Sequence, residues 1–183
     1  MNHLIYLDCE FTDLLFPELL SLGMVTTGGD EHYVELDRDD PTSAASLAQA
    51  SDFVRHNGVL DQWGLVPGSA ASREQMGLRT ARWLLDHAVR FGQPALIAHD
   101  FAADYQLLED LIQDAGQWEA VRDVIRPLNV NDLTGTFDGS MAAELAYESL
   151  QTTRGLERHH ALADAHALRA MCIAVTTGKR VKL

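Results

Sequence analysis

The sequence predicts an α/β fold: a mixed five-stranded sheet, with a three-stranded meander first, flanked by helices. Three observations predict it. The first third holds three short apolar or alternating runs divided by turn residues. Longer stretches with helical apolar spacing follow. Two further short apolar runs lie between those stretches, as strands between helices do.

Residues 3–9 (HLIYLDC) read as a buried strand and 19–27 (LLSLGMVTT) as a second. Gly28-Gly29-Asp30 is a turn signal, and residues 32–36 (HYVEL) alternate as a third strand. Asp37-Arg38-Asp39-Asp40-Pro41 is a polar break, after which residues 43–56 are expected to be helical. A longer helix should begin after Pro67-Gly68, because Ser72 and Gln75 have capping-box spacing. Ala81, Leu84, Leu85 and Ala88 keep its apolar face, and Gly92 ends it. Residues 94–98 (PALIA) are a short strand, followed by a helix from about 102 to 114. Residues 127–131 form a fifth strand, and helices cover roughly 139–149 and 162–176. No repeat or long linker divides the chain, so residues 1–183 are expected to be one domain.

A 46% share of hydrophobic residues is enough for a core and excludes a disordered chain. No apolar run approaches the roughly 18 residues of a membrane span, and the N-terminus lacks the pattern of a signal peptide. Cys9 and Cys172 make no disulfide framework, so a reducing cytoplasm is the expected setting. The net charge of −13, from 27 acidic and 14 basic residues, argues against phosphate binding by Lys and Arg alone. Carboxylates that hold divalent cations offer another route to phosphate. Arg154, Arg158, Arg169, Lys179, Arg180 and Lys182 crowd the last thirty residues, as a basic surface or a solvated tail.

Asp8 and Glu10 stand two apart at the end of the first strand, so both carboxylates leave the same face. Two such acids are costly unless a positive charge lies between them, and hard cations such as Mg²⁺ fit. Taken alone, the triplet also suits a solvated strand end. Asp104 falls in the first turns of the 102–114 helix, where the macrodipole favours an acid. His159 and Asp164 are five apart, about 140° out of register on one helix. They share a site only if His159 precedes the helix and Asp164 lies in its opening turns. His160 and His166 read as surface histidines, and Cys9 as a small core residue.

In that order these residues resemble the DEDDh branch of the 3′→5′ exonuclease superfamily, which has a ribonuclease-H-like fold. Asp8-Cys9-Glu10-Phe11 matches the first motif and Asp104 the second-motif aspartate. His159-His160-Ala161-Leu162-Ala163-Asp164-Ala165 matches the third. The resemblance runs from residue 4 to about 172. The run 6–11 (YLDCEF), with 18–23 (ELLSLG) following, looks most like a bacterial branch of small single-domain exoribonucleases. Many relatives carry H-N-A-x-F-D in the second motif, whereas this chain has His99-Asp100-Phe101-Ala102-Ala103-Asp104, so Asp100 stands where asparagine is usual. His160-x(3)-Asp164 has the spacing of a sister branch that uses a tyrosine base, but no tyrosine is there.

The resemblance implies that Asp8, Glu10, Asp104 and Asp164 hold two divalent cations, Mg²⁺ or Mn²⁺. It makes His159 the general base towards water, and His99 and Asp100 of the second motif are expected beside the substrate. Phe11, directly after Glu10, is expected either to stack on the terminal base or to pack in the core. The implied substrate is the 3′ end of RNA or short single-stranded nucleic acid, and the product is nucleoside 5′-monophosphates. A DNA-directed exonuclease of the same fold and a catalytically silent nucleic-acid-binding protein are the alternatives. A homodimer, with one subunit's basic C-terminus beside the other's site, is compatible with each.

Overall fold

The computed structural model describes residues 4–178. His3 and the basic residues Lys179, Arg180 and Lys182 lie outside that range. β1 (Leu4–Phe11), β2 (Leu19–Thr26) and β3 (Glu31–Leu36) form the antiparallel meander. Two short helices, α1 (Ser43–Ala48) and α2 (Asp52–His56), follow, then a 3₁₀ turn (Leu60–Gln62) and β4 (Ala70–Ala71). α3 (Arg73–Phe91), β5 (Ala95–His99) and α4 (Ala102–Asp114) come next, then α5 (Trp118–Val121), β6 (Ile125–Asn129) and α6 (Asn131–Thr134). The long helices α7 (Phe137–Arg154) and α8 (Ala161–Thr177) complete the order. The strands form one mixed sheet in the order β4-β3-β2-β1-β5-β6, with β5 parallel to both β1 and β6.

The predicted α/β class holds, with six strands rather than five. β4 is too short, at two residues, for any periodicity to reveal. Residues 43–56 make two helices because Ser51 caps a new one, its side chain accepting from the Val54 N–H. Arg55 then donates to the carbonyls of Leu47, Ala48 and Ala50, closing the end of α1. β6 starts two residues earlier than expected and contains Pro127, which an edge strand tolerates. α3 begins and ends as predicted: the Ser72 side chain accepts from Gln75 N–H, and Gly92 sits in the left-handed region at φ 65°.

Strand alternation divides β1 between two layers. Ile5, Leu7 and Cys9 face the core shared with Met76 and Leu84 of α3 and Leu108 and Leu111 of α4. Tyr6 faces the other way, packing with Leu168 and Cys172 of α8. The helix α8 comes so close to the sheet that a Cβ on Gly23 would meet the Ala161 carbonyl at 2.4 Å. Only glycine allows that approach. Among the described residues, no helix is long and apolar enough to cross a membrane.

Candidate metal centre

Asp8 and Glu10 continue the row that Tyr6 begins, on the α8 face of β1. Asp8 pairs across the sheet with Gly23, the residue on which α8 begins its course. The first turn of α8 therefore lies beside Asp8, and Asp164 with it. A bulge between Glu10 and Phe11 breaks the alternation at the strand end. From the parallel neighbour β5 the chain turns through Asp100 and Phe101 into α4, which carries Asp104 in its first turn. A strand end and two helix N-termini thus converge, and helix N-termini favour negative charge.

Two sets of potential cation ligands result. Asp8, Asp100 and Asp104 each offer an oxygen within 4.8 Å of the others. Glu10, His159 and Asp164 form a second set under the same limit. All four acids expected as ligands come together, and Asp100 joins them. Asp100 therefore adds a fifth carboxylate to the group.

His159 lies before α8, with Asp164 inside its first turn, as the five-residue spacing requires. It has φ 63°, the one non-glycine positive φ among the described residues. That conformation costs roughly 1 kcal/mol or more in an L-residue. Its N–H donates to Asp164 Oδ2 at 3.0 Å, and its ring meets Phe53 edge-on at 5.1 Å. Tyr147 of α7 donates its hydroxyl to Asp164 Oδ1 at 2.6 Å. Each oxygen of Asp164 thus holds one donor and keeps lone pairs for a cation. Nothing in the sequence marks Tyr147, which arrives only because α7 packs along α8.

The centre is electrostatically unfinished. Burial, then the negative charge of Asp164, raises Asp8 well above the ordinary carboxylate range. The same two causes raise Glu10. Asp104 is pushed up to about 8, by burial first and by Asp100 second. Burial also raises Asp164. Asp104 is 2% exposed, yet its Oδ2 has no hydrogen-bond partner. Glu35, 1% exposed, is the opposite case. It accepts from Tyr33 Oη at 2.8 Å, Ser69 Oγ at 2.9 Å and the Gly64 N–H at 3.0 Å. A buried carboxylate oxygen without a donor is costly unless a cation meets it, so the ligand set and the orphaned oxygen both fit a hard divalent ion.

Asp8, Glu10, Asp104 and Asp164 floor a cleft of about 830 Å³ whose walls include Phe11, Leu14, Leu15, Phe53, Val54 and Phe101. Phe11 and Phe101 lie nearly parallel, 6.0 Å apart and 13° inclined. Phe53 and Phe101 are about half exposed. Neither was marked by the sequence, although Phe101 sits inside the second motif. Among the described residues, no Lys or Arg lines the cleft. Arg154 pairs with Glu31, Arg158 with Glu144, and Arg169 donates to the Thr27 carbonyl.

Three histidines depart from expectation. His99 is buried on the α4 side, stacked on Tyr105, with Nδ1 3.0 Å from the Phe101 carbonyl oxygen. It shapes the loop below Phe101 and is not on the cleft wall. Alternation from Ile97, which faces the same core, would have placed it there. His160 is not a surface residue: it is buried, stacks on Tyr33 and caps α8 by accepting from the Leu162 N–H. Burial lowers its pKa to about 4 and keeps it neutral. His166 is half-buried, with Nε2 2.8 Å from Glu31.

No family model matches this chain, and no curated protein matches it in sequence. The sheet, with its antiparallel meander first and parallel strands after, is consistent with a ribonuclease-H-like fold.

Proposed function

We propose that the chain is a divalent-cation-dependent 3′→5′ exonuclease acting on the 3′ ends of RNA or short single-stranded nucleic acid. The observation that carries the reading is the convergence of five carboxylates and His159 at one end of a mixed sheet, one oxygen of Asp104 lacking any donor. Asp8, Asp100 and Asp104 would hold one cation, Mg²⁺ or Mn²⁺, and Glu10 and Asp164 a second beside Asp8. Bound there, the ions would neutralise phosphate and leaving-oxygen charge and promote ionisation of water. His159, its ring within reach of Glu10 and Asp164, would take the proton from the attacking water.

The cleft walls suit nucleobases. Phe11 and Phe101 offer ring faces, and stacking contributes about 1–3 kcal/mol per base. With no Lys or Arg among the described residues of the walls, a long polyanion gains little from them, which favours substrates of a few nucleotides. The test is a time course on 5′-labelled single-stranded RNA and DNA with Mg²⁺, Mn²⁺ or EDTA, beside Asp8→Asn. A cation-dependent ladder shortening from the 3′ end, faster on RNA and lost in the variant, is expected. Absence of a ladder on either polymer and on dinucleotides overturns the reading.

A further inference from the structure

The six-residue connection between α7 and α8 that carries His159 is held by a side chain from a distant element. Gln62, in the 3₁₀ turn, is 7% exposed. Its Nε2 donates to the Arg158 carbonyl oxygen at 2.6 Å. Its Oε1 accepts from the Glu157 N–H, also at 2.6 Å. The partners are a main-chain acceptor and a main-chain donor, so only one orientation of the amide satisfies both. Gln62 thus acts as a borrowed peptide group, giving residues 157 and 158 the pairing that a neighbouring strand would give. The next residue is His159, with its left-handed backbone. The Arg158 side chain lies over the Tyr147 ring at 4.3 Å and pairs with Glu144, so the turn is also tied from outside.

We propose that Gln62 is a positioning residue for His159: its two main-chain hydrogen bonds hold the 157–158 segment so that the imidazole stays over Glu10 and Asp164. The inference rests on the nuclease reading for its consequence, but the placement itself can be tested without activity. A residue that only filled space in the turn would need neither bond. Gln62→Met keeps the volume and loses both. Gln62→Glu keeps the acceptor and sets a carboxylate oxygen against the Arg158 carbonyl.

The experiment measures amide exchange at Glu157 and His159 by NMR, Mn²⁺ affinity by calorimetry, and kcat and KM on a labelled oligonucleotide. The His159 N–H bonds to Asp164 rather than to Gln62, so its exchange reports the turn and not the lost bond itself. Gln62→Met is expected to speed exchange at both amides by roughly tenfold or more. It should lower kcat by about 10–100-fold, with KM and Mn²⁺ affinity within about twofold. Added to His159→Ala, it should cost less than about twofold more. Gln62→Glu should speed exchange at His159 and lower kcat in the same way, so the test survives if the methionine variant does not fold. Unchanged exchange at His159 overturns the proposal, as does an equal loss of kcat with and without His159. If the unmodified chain hydrolyses nothing, the nuclease reading fails by itself, and exchange at His159 still decides whether Gln62 holds the turn.

Discussion

Glu35 and Asp104 are both almost completely withdrawn from water, and the chain treats them in opposite ways. Around Glu35 a tyrosine hydroxyl, a serine hydroxyl and a main-chain N–H supply what water would have supplied. Around Asp104, hydrogen bonds with the main chain of Cys9 and Phe101 only partly offset burial and the charge of Asp100, and one oxygen has no donor. Burial alone therefore does not distinguish a structural carboxylate from a reactive one. The donors do, because an unsatisfied buried anion costs several times more than a satisfied one.

Four measurements would break or sharpen that contrast. The largest effect is expected from Asp104→Asn, which should lower cation-dependent hydrolysis by on the order of 10⁴-fold. Glu35→Gln should leave kcat within a few-fold in the same initial-rate assay, and an equal loss from both would erase the distinction. His159→Ala comes next, with kcat down by about 10³-fold. Calorimetry should find its Mn²⁺ affinity little altered, and a collapse of that affinity would make His159 a ligand instead of a base. Tyr147→Phe removes one donor from Asp164 and should weaken Mn²⁺ binding or activity by roughly 10–100-fold.

The smallest effect is on stability, and its sign is the informative part. The folded chain holds Asp104 at about 8 against an unfolded value near 4, so between those values the folded state binds more protons. Stability in EDTA should therefore fall as pH rises from about 4 through about 8, and Mg²⁺ should offset the loss most at the alkaline end. Asp104→Asn should raise Tm in EDTA at pH 8, whereas Glu35→Gln should lower it. Each kcal/mol moves Tm by about 2–4 °C in a chain of this size. A scan in which both variants shift in the same direction would contradict the comparison.

The part of the site that rides on regular elements was legible in the sequence. Asp8 and Glu10 share a face because strand alternation demands it, and Asp104 and Asp164 open helices whose apolar spacing is plain. The part that rides on tertiary contact was not. Tyr147 reaches Asp164 by the packing of α7 on α8. Gln62 reaches the His159 turn across more than ninety residues of chain. Phe53 enters the cleft because Ser51 starts a second helix where one continuous helix was expected. His160 was misread as a surface residue because a polar side chain at a helix start says nothing about whether that start is buried. β4 escaped notice because two residues carry no period.

Gly23 has a consequence for any mutational scan of this protein. It carries no charge and holds no proton, yet a methyl group there would strike the main chain at Ala161. The turn bearing His159 and the helix bearing Asp164 would both lift from the strand end where Asp8 lies. In a library scored for activity, position 23 should therefore be as intolerant as the carboxylates. In a library scored for cation affinity alone it should again fall among them. An inert residue would then carry the mutational signature of a ligand, and only its position under the first turn of α8 would tell the two apart.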